Sequence, residues 1–320
     1  ALAGDAITDA DNNVAVGTNA LGTNQLGSQN IAIGRLALGT MNPATAANTY
    51  NTAVGADAGF AVTTGTLNTL LGGLTGDAFT TGTTNTALGA QALSADTAGN
   101  RSVAVGNAAL FAQNFSTSTN SYNVAVGYEA GVAVTTGISN VLMGGLTGDA
   151  LNDADYNTAV GTFALTTDQM GSKSTAFGYG ALQNQAFTTA TNSLNTAVGM
   201  EAGYATTTGV QNTFIGAQAG DANTTGANNT YIGYLAATTD DASQQNVVVG
   251  AQAATLMNHG AEVGYQTIMG FQASYYNVTG TSNTLVGYQS GFGVSGNSNG
   301  LNCALGRQTL YSVTTGSNNA

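Results

Sequence analysis

The chain contains one histidine, His259, and one cysteine, Cys303. A Ser–His–Asp or Cys–His nucleophile would need this histidine. His259 falls in an irregular stretch between two repeats, so we interpret it as a loop residue with a surface or packing role. Cys303 occupies a position that is usually Thr or Val in the repeats described below, which predicts a buried and inert thiol. One histidine and one cysteine cannot supply the four ligands of a zinc site, so we expect no such metal and no cofactor.

Carboxylates are the second source of chemistry, because paired acids can cleave polysaccharides. The chain has three glutamates, Glu129, Glu201 and Glu262, and no tryptophan that could line a sugar cleft. Glu129 and Glu201 lie at equivalent positions 72 residues apart, which stacking predicts to be roughly 19 Å in space. That separation is too large for a carboxylate pair, so we expect the protein not to be an enzyme.

Some aspartates lie in turns at which calcium could bind through carboxylate oxygens. These are Asp153 with Asp155, and Asp240 with Asp241. Solvated loops are the alternative interpretation, and the sequence leaves both open.

The composition excludes several classes of partner. Only 6% of residues are charged, the net charge is −12, and there are four basic residues in total. Without a basic patch, binding to nucleic acid or to anionic membranes is not expected. No apolar run approaches the roughly 18 residues of a membrane span, and no signal peptide is visible. A surface of Asn, Thr, Ser and Gln favours an extracellular, cell-surface or virion location.

A short motif, typified by Asn-Thr-Ala-Val-Gly, recurs along the whole chain. Its glycine returns every 17 residues in most intervals and after about 21 in every fourth, which gives a superperiod of 72 residues. Such periodicity is typical of stacked repeats. We predict an all-β protein, a parallel β-solenoid or β-roll of about 18 coils forming one continuous array over residues 1–320. Because the chain starts and stops in phase with the repeat, we expect it to be a slice of a longer fibre.

Positions are counted from this glycine, so that the residue before it is position −1. The glycine is expected to form a coil corner with a positive φ angle. The clearest corner glycines are Gly55, Gly72, Gly89, Gly127, Gly144, Gly161, Gly199 and Gly216. Position −4 is almost always Asn, which could form a ladder along the stack or cap a local turn; the sequence leaves both open. The clearest ladder residues are Asn51, Asn68, Asn85, Asn123, Asn140, Asn157, Asn195, Asn212 and Asn229.

The strand at positions −3 to −1 alternates between two faces. Positions −3 (Thr or Val) and −1 (large apolar) are predicted to point into the coil. Position −2 then lies on the other face, yet it carries no charged or amide side chain, so we expect it to pack against neighbouring chains. The expected inter-chain residues are Ala53, Leu70, Ala87, Ala125, Leu142, Ala159, Ala197, Phe214 and Tyr231. These residues predict a homo-oligomer, with a trimer favoured.

The motif resembles the head repeats of trimeric autotransporter adhesins, most closely at residues 101–106 and 30–34. Residues 195–209, with Asn-Thr-Ala-Val-Gly followed by Thr-Thr-Gly, are also similar to the shaft repeats of phage tail fibres. The resemblance covers essentially the whole chain, although the autotransporter repeat is shorter than 17 residues. It implies a trimeric β-roll or β-solenoid that serves as a structural shaft or a host-surface adhesin.

The expected function is that of a stiff, non-enzymatic fibre segment that presents a distal binding tip to a host glycan or receptor. A self-assembling extracellular filament is one alternative. An ice-binding solenoid is another, which the predicted inward orientation of the Thr column disfavours. Tyrosines at position +1 could touch glycans, or could pack over a neighbouring coil: Tyr128, Tyr179, Tyr234 and Tyr288.

Overall fold

The computed structural model describes residues 2–296 and 298–320, and the regular elements in these ranges are all β-strands. The chain divides into two compact units, Ala1–Asn157 and Thr158–Ala320. Each unit is built from three-residue strands that end one residue before a repeat glycine, together with a few two-residue strands.

The strands of the first unit follow one another at the spacing of the repeat. They are β1 (Val14–Val16), β2 (Gly27–Ser28), β3 (Ile31–Ile33), β4 (Ala47–Asn48), β5 (Thr52–Val54), β6 (Thr69–Leu71), β7 (Thr86–Leu88), β8 (Gly99–Asn100), β9 (Val103–Val105), β10 (Thr119–Asn120), β11 (Val124–Val126) and β12 (Val141–Met143).

The second unit continues the same pattern. Its strands are β13 (Thr158–Val160), β14 (Gly171–Ser172), β15 (Thr175–Phe177), β16 (Thr191–Asn192), β17 (Thr196–Val198), β18 (Thr213–Ile215), β19 (Thr230–Ile232), β20 (Val247–Val249), β21 (Thr267–Met269), β22 (Thr284–Val286) and β23 (Cys303–Leu305).

Equivalent strands of successive coils pair in parallel and in register. In the first unit, β5 pairs with β6 so that Ala53 faces Leu70. In the second, β17 pairs with β18 so that Ala197 faces Phe214. Since parallel strands with this connectivity must be joined by a complete turn of the chain, each unit is a stack of coils. The prediction of an all-β, parallel β-solenoid is confirmed.

The two faces of the strand are the reverse of those predicted. Position −2 points into the coil, and its side chains are fully buried within their own chain: Ala53, Leu70, Ala87, Ala125, Leu142, Ala159, Ala197, Phe214 and Tyr231. The assignment of these residues to an inter-chain face is therefore wrong. Positions −3 and −1 point outward instead, as the 46% and 55% exposure of Val14 and Val16 illustrates.

The narrow interior explains this orientation, because it accepts only one strand side chain per coil. Where position −2 is Phe214 or Leu70, the facing position +4 is glycine: a methyl group on Gly203 would lie 2.5 Å from Phe214 Cδ2, and one on Gly59 would lie 2.8 Å from Leu70 Cδ1. Where position −2 is alanine, position +4 is usually leucine, as at buried Leu93. Large and small residues thus alternate to fill one core at close-packed density.

The repeat glycines stand where the backbones of successive coils approach most closely. Their φ angles lie in the positive region, for example +140° at Gly55 and at Gly144. A methyl group on Gly55 would lie 2.3 Å from the carbonyl oxygen of Gly72 in the next coil, so no other residue fits. The same close approach occurs at Gly72, Gly89, Gly127, Gly161, Gly199 and Gly216.

Candidate functional site: the outer sheet face and the buried ladders

The outward residues at positions −3 and −1 form what we call the outer face of each unit. Position −1 is always apolar, and many of its side chains are well exposed, including Met143 (41%), Phe177 (54%) and Met269 (42%). Position −3 is Thr, Val or Ile in every strand that precedes Cys303. A face of this composition is unlike the polar side of a one-sided sheet. It forms an extended apolar surface that the chain itself does not cover.

Two further exposed columns border the outer face. Position −5, the leading margin, often carries Tyr or Leu, such as Tyr50 (48%) and Tyr156 (54%). Position +1, the trailing margin, carries several aromatic residues and Met200 (49%). The position +1 tyrosines of the sequence analysis are all exposed: Tyr128, Tyr179, Tyr234 and Tyr288. Tyr288 stacks on Phe271 of the preceding coil, with 5.7 Å between ring centroids, so packing along the column occurs here.

The asparagines at position −4 form buried ladders in each unit. The Oδ1 atom of Asn51 accepts a hydrogen bond from the backbone N–H of Asn68 at 3.0 Å. The Nδ2 atom of Asn68 donates to the carbonyl of Gly82, in the turn of the next coil, at 2.8 Å. Each amide thus links coils and also satisfies a turn carbonyl 14 residues further on, which supports the ladder rather than a cap of a local turn. All nine ladder residues are buried: Asn51, Asn68, Asn85, Asn123, Asn140, Asn157, Asn195, Asn212 and Asn229.

A second buried column, at position +7, was not found from the sequence. In the first unit, Asp96 Oδ2 accepts a hydrogen bond from Gln113 Nε2 at 2.7 Å. The same amide nitrogen donates to Ser102 Oγ at 2.9 Å, and the Gln113 oxygen accepts from Asn123 at 2.9 Å. Burial raises the pKa of the Asp96 carboxyl, and hydrogen bonds from Gln113 and from the backbone N–H of Phe115 oppose this only in part. Ser102 occupies position −4 in place of asparagine, and Gln113 connects it to Asn123 in the next coil. The network thus spans the gap in the asparagine ladder.

An equivalent network lies in the second unit. Asp168 accepts from Gln185, whose oxygen accepts from Asn195 at 2.9 Å. Burial again raises the pKa of the carboxyl of Asp168. At the corresponding place nearer the start of the chain, Asn24 and Met41 replace the acid and the glutamine. In these three places acid accompanies glutamine and amide accompanies methionine, which keeps donors and acceptors matched.

Asp240 has a different set of donors. The hydroxyl groups of Tyr231 and Ser243 both donate to its carboxylate, and all three residues are buried. Burial and the neighbouring carboxylate raise the pKa of Tyr231 well above its usual value. Tyr231 is thus an internal donor, and its predicted place between chains is wrong.

The remaining candidate residues make no catalytic arrangement. His259 is buried, with Nε2 2.8 Å from the carbonyl oxygen of Gly280, which gives it a packing role. Cys303 is exposed on the outer face, so the prediction of a buried thiol is wrong for the same reason as the reversal of the strand faces.

The acidic residues proposed for other chemistry make ordinary contacts. Asp153 accepts from Thr136 Oγ1 at 2.6 Å, and Asp155 accepts from the backbone N–H of Ile138 at 2.8 Å. Within residues 2–296 and 298–320, no group of three or more His, Cys, Asp or Glu side chains converges as a metal site would require. Calcium at the turn aspartates stays an untested prediction.

Comparison with known proteins adds no assignment. No family model, no curated protein and no solved structure matches the chain. Among the described residues there is also no helix of the length and apolarity that crossing a membrane requires. The fold and the outer face therefore carry the functional argument.

Proposed function

We propose that this chain is a segment of a non-enzymatic structural fibre in which copies pack together through their outer faces. The shaft of a phage tail fibre or of a bacterial surface adhesin fits this role, in an extracellular, cell-surface or virion setting. The chain would act as a stiff spacer that presents a distal tip to a host glycan or receptor. The single observation that supports this most is the uncovered apolar column at position −1.

The energetics favour covering this column. Burying a fully exposed Val, Leu or Ile is worth roughly 1.5–3 kcal/mol, and the half-exposed side chains of this column would contribute a proportionate share. The column repeats in every coil, and large uncovered apolar patches typically mark interaction surfaces. Charged residues are absent from positions −3 and −1, so contact between two such faces would bury no unpaired charge. Three copies is the number that we favour, in keeping with the resemblance of the repeat.

The long intervals give the proposed shaft a regular surface feature. The two-residue strands pair as β2 with β4, β8 with β10, and β14 with β16. The earlier strand of each pair begins at a glycine, and these glycines are spaced by 72 residues: Gly27, Gly99 and Gly171. We infer a superperiod of four coils, in which the extra residues of every fourth coil form a ridge.

A pair of matched substitutions tests the proposal. Met143 (41% exposed) lies on the outer face, whereas Phe111 (37% exposed) lies outside it at position +5. Met143→Asp should shift the assembly toward monomers in mass photometry, because a buried unpaired charge opposes association. Phe111→Asp should leave the assembly unchanged, and circular dichroism would verify that both variants are folded. A monomeric parent protein, or an unchanged Met143→Asp oligomer, would contradict the proposal.

Ice binding is a second candidate that one observation favours. The Thr column at position −3 points outward, so the inward orientation that argued against this function is not found. In the second unit, five successive three-residue strands present Thr158, Thr175, Thr196, Thr213 and Thr230 on the same face. A folded monomer with thermal hysteresis that is lost in Thr196→Tyr would support ice binding over the fibre.

A further inference from the structure

All four basic residues of the chain lie at the two margins of the outer face. Arg101 and Lys173 are at the leading margin, and Arg35 and Arg307 are at the trailing margin. None of the 16 acidic residues lies between positions −5 and +1. In a chain with a net charge of −12, this placement of the few cations is a specific feature of the face.

One cation is paired within the chain. Arg35, at the trailing margin, forms an ion pair with Asp57, at position +2 of the next coil. The leading margin of the Arg35 coil carries neutral Gln29.

The acid at position +2 is retained in the next two superperiods, but the cation lies at the leading margin instead of the trailing margin. Glu129 and Glu201 lie 72 and 144 residues after Asp57, while neutral Asn107 and Tyr179 replace Arg35. The cations of these groups are instead at the leading margin. They are Arg101 and Lys173.

The last superperiod has neither charge. Its acid position is Gln272, its trailing-margin position is Ala251 and its leading-margin position is Gln245. An acid at position +2 is therefore accompanied by a cation at one margin or the other, and it is absent where both margins are neutral.

The cation at the leading margin and the acid at position +2 also lie at the same level along the axis of the stacked coils. The Arg101 guanidinium lies over the ring of Tyr122, 5.5 Å from its centroid. Tyr122 belongs to the same coil as Glu129, so the guanidinium reaches the level of that carboxylate. At the far margin, Glu129 directly follows Tyr128, which is exposed at position +1, so its carboxylate adjoins the trailing margin.

Within one chain the two charges cannot meet, because the seven residues from position −5 to position +2, which include the extended strand, span roughly 20 Å. The charges can meet between parallel copies that are related by rotation about an axis along the stack. In that arrangement the leading margin of each copy adjoins the trailing margin of the next. In an antiparallel pair, leading margins would adjoin each other and bring Arg101 and Lys173 together with no acid.

We propose that the partner of the outer face is a second copy of this chain in parallel orientation and at the same height, with Arg101 and Lys173 of one copy paired with Glu129 and Glu201 of the next. This inference rests on the proposed function and adds the direction and the register of packing. The ion pairs lie at the rim of an apolar contact, where charges fix orientation more than they add affinity.

Disulfide trapping tests the orientation. In a Cys303→Ser background, the double variant Arg101→Cys, Glu129→Cys should form inter-chain disulfides on mild oxidation, seen as covalent oligomers on a non-reducing gel. Each single-cysteine variant should stay uncrosslinked. Inter-chain disulfides in an Arg101→Cys, Lys173→Cys double variant would indicate antiparallel packing and overturn the proposal.

Charge reversal tests the register. Arg101→Glu with Lys173→Glu should lower the temperature at which the oligomer dissociates, because it places like charges together. Adding Glu129→Lys and Glu201→Lys to the same chain should restore the dissociation temperature, since each proposed ion pair then forms again with its two charges exchanged. Arg35→Gln, which removes only the pair within the chain, should leave assembly unchanged.

The outcomes separate this inference from the proposed function. An intact oligomer without Arg101–Glu129 crosslinks and without charge-swap rescue would overturn the register and leave the fibre standing. A parent protein that is monomeric at micromolar concentration would overturn both.

Discussion

The side-chain oxygen of Asn68 accepts a hydrogen bond from the backbone N–H of Asn85 at 3.0 Å, and this contact joins two successive coils. Asn68 also donates to the carbonyl of Gly82. Both atoms of one buried amide are therefore used to satisfy backbone groups that water cannot reach. The interior of the solenoid depends on such contacts as much as on apolar packing.

Replacing Asn68 should open the stack locally. Asn68→Ala leaves the N–H of Asn85 and the carbonyl of Gly82 unpaired, at a cost of about 2–6 kcal/mol. Amide hydrogen exchange around Asn85 should accelerate accordingly. Exposed Asn107 is the control, since Asn107→Ala removes only a surface contact with Ala90 at 3.2 Å. Equal exchange in the two variants would contradict the role of the ladder.

Adjacent glycines should respond differently to alanine. A methyl group on Gly72, where φ is +138°, would lie 2.7 Å from the carbonyl of Gly89, whereas one on Gly73 would find its nearest neighbour, Ala56 O, at 3.8 Å. Gly72→Ala should destabilise the fold by about 3 kcal/mol or more. Gly73→Ala should be neutral or stabilise by up to about 1 kcal/mol. Urea unfolding followed by circular dichroism measures both, and comparable losses would refute the close approach of the coils.

The stability of the first unit should depend on pH through Asp96. Because burial raises the pKa of Asp96 in the folded chain above 3.8, the folded state holds a proton that the unfolded state releases. This contribution to stability is complete below pH 3.8 and is lost as the pH rises through the raised pKa. The slope contributed by one carboxyl reaches about 1.4 kcal/mol per pH unit at most.

A double substitution that copies the Asn24 and Met41 pair isolates this effect. Asp96→Asn with Gln113→Met should unfold with a smaller pH slope than the parent between pH 4 and pH 7. Asp96→Asn alone should be less stable by about 1–3 kcal/mol, because its amide would face the Gln113 donor. The free energy of unfolding in urea at several pH values gives the slopes. An unchanged slope in the double variant would show that Asp96 does not titrate in this range.

The hydroxyl of Tyr231 should stabilise the second unit mainly when Asp240 is ionised. Tyr231→Phe removes a donor to a buried carboxylate, which costs about 1.5–3 kcal/mol at pH 7. The same hydrogen bond lowers the otherwise raised pKa of Asp240, so the loss should shrink at acid pH. Phe214→Leu, which copies Leu70 and Leu142, is the control and should show no such pH dependence. A loss independent of pH in Tyr231→Phe would refute the link to the carboxylate.

Glycine spacing alone predicts the coil, the parallel stacking and the corner positions, because only a stacked backbone demands glycine at a fixed interval. Strand alternation does not distinguish inside from outside when both faces are apolar. The distinguishing signal was the match between positions −2 and +4, such as Phe214 with Gly203, since residues that compensate in size share one core. Asp96 and Gln113 were missed because nothing local predicts that these two side chains, 17 positions apart, both point inward and form a hydrogen bond with each other.

The buried network of Asp96 and Gln113 bears on how the length of such a chain can change. Each member finds its partner one coil away, and the equivalent network of Asp168 and Gln185 lies 72 residues later. Deleting a single coil would set a buried acid against a neighbour without the matching donor. Deleting or duplicating the 72 residues that separate one network from the other would keep each buried acid beside a glutamine. Genetic recombination between repeats could therefore lengthen or shorten the protein in whole groups without a new core having to evolve.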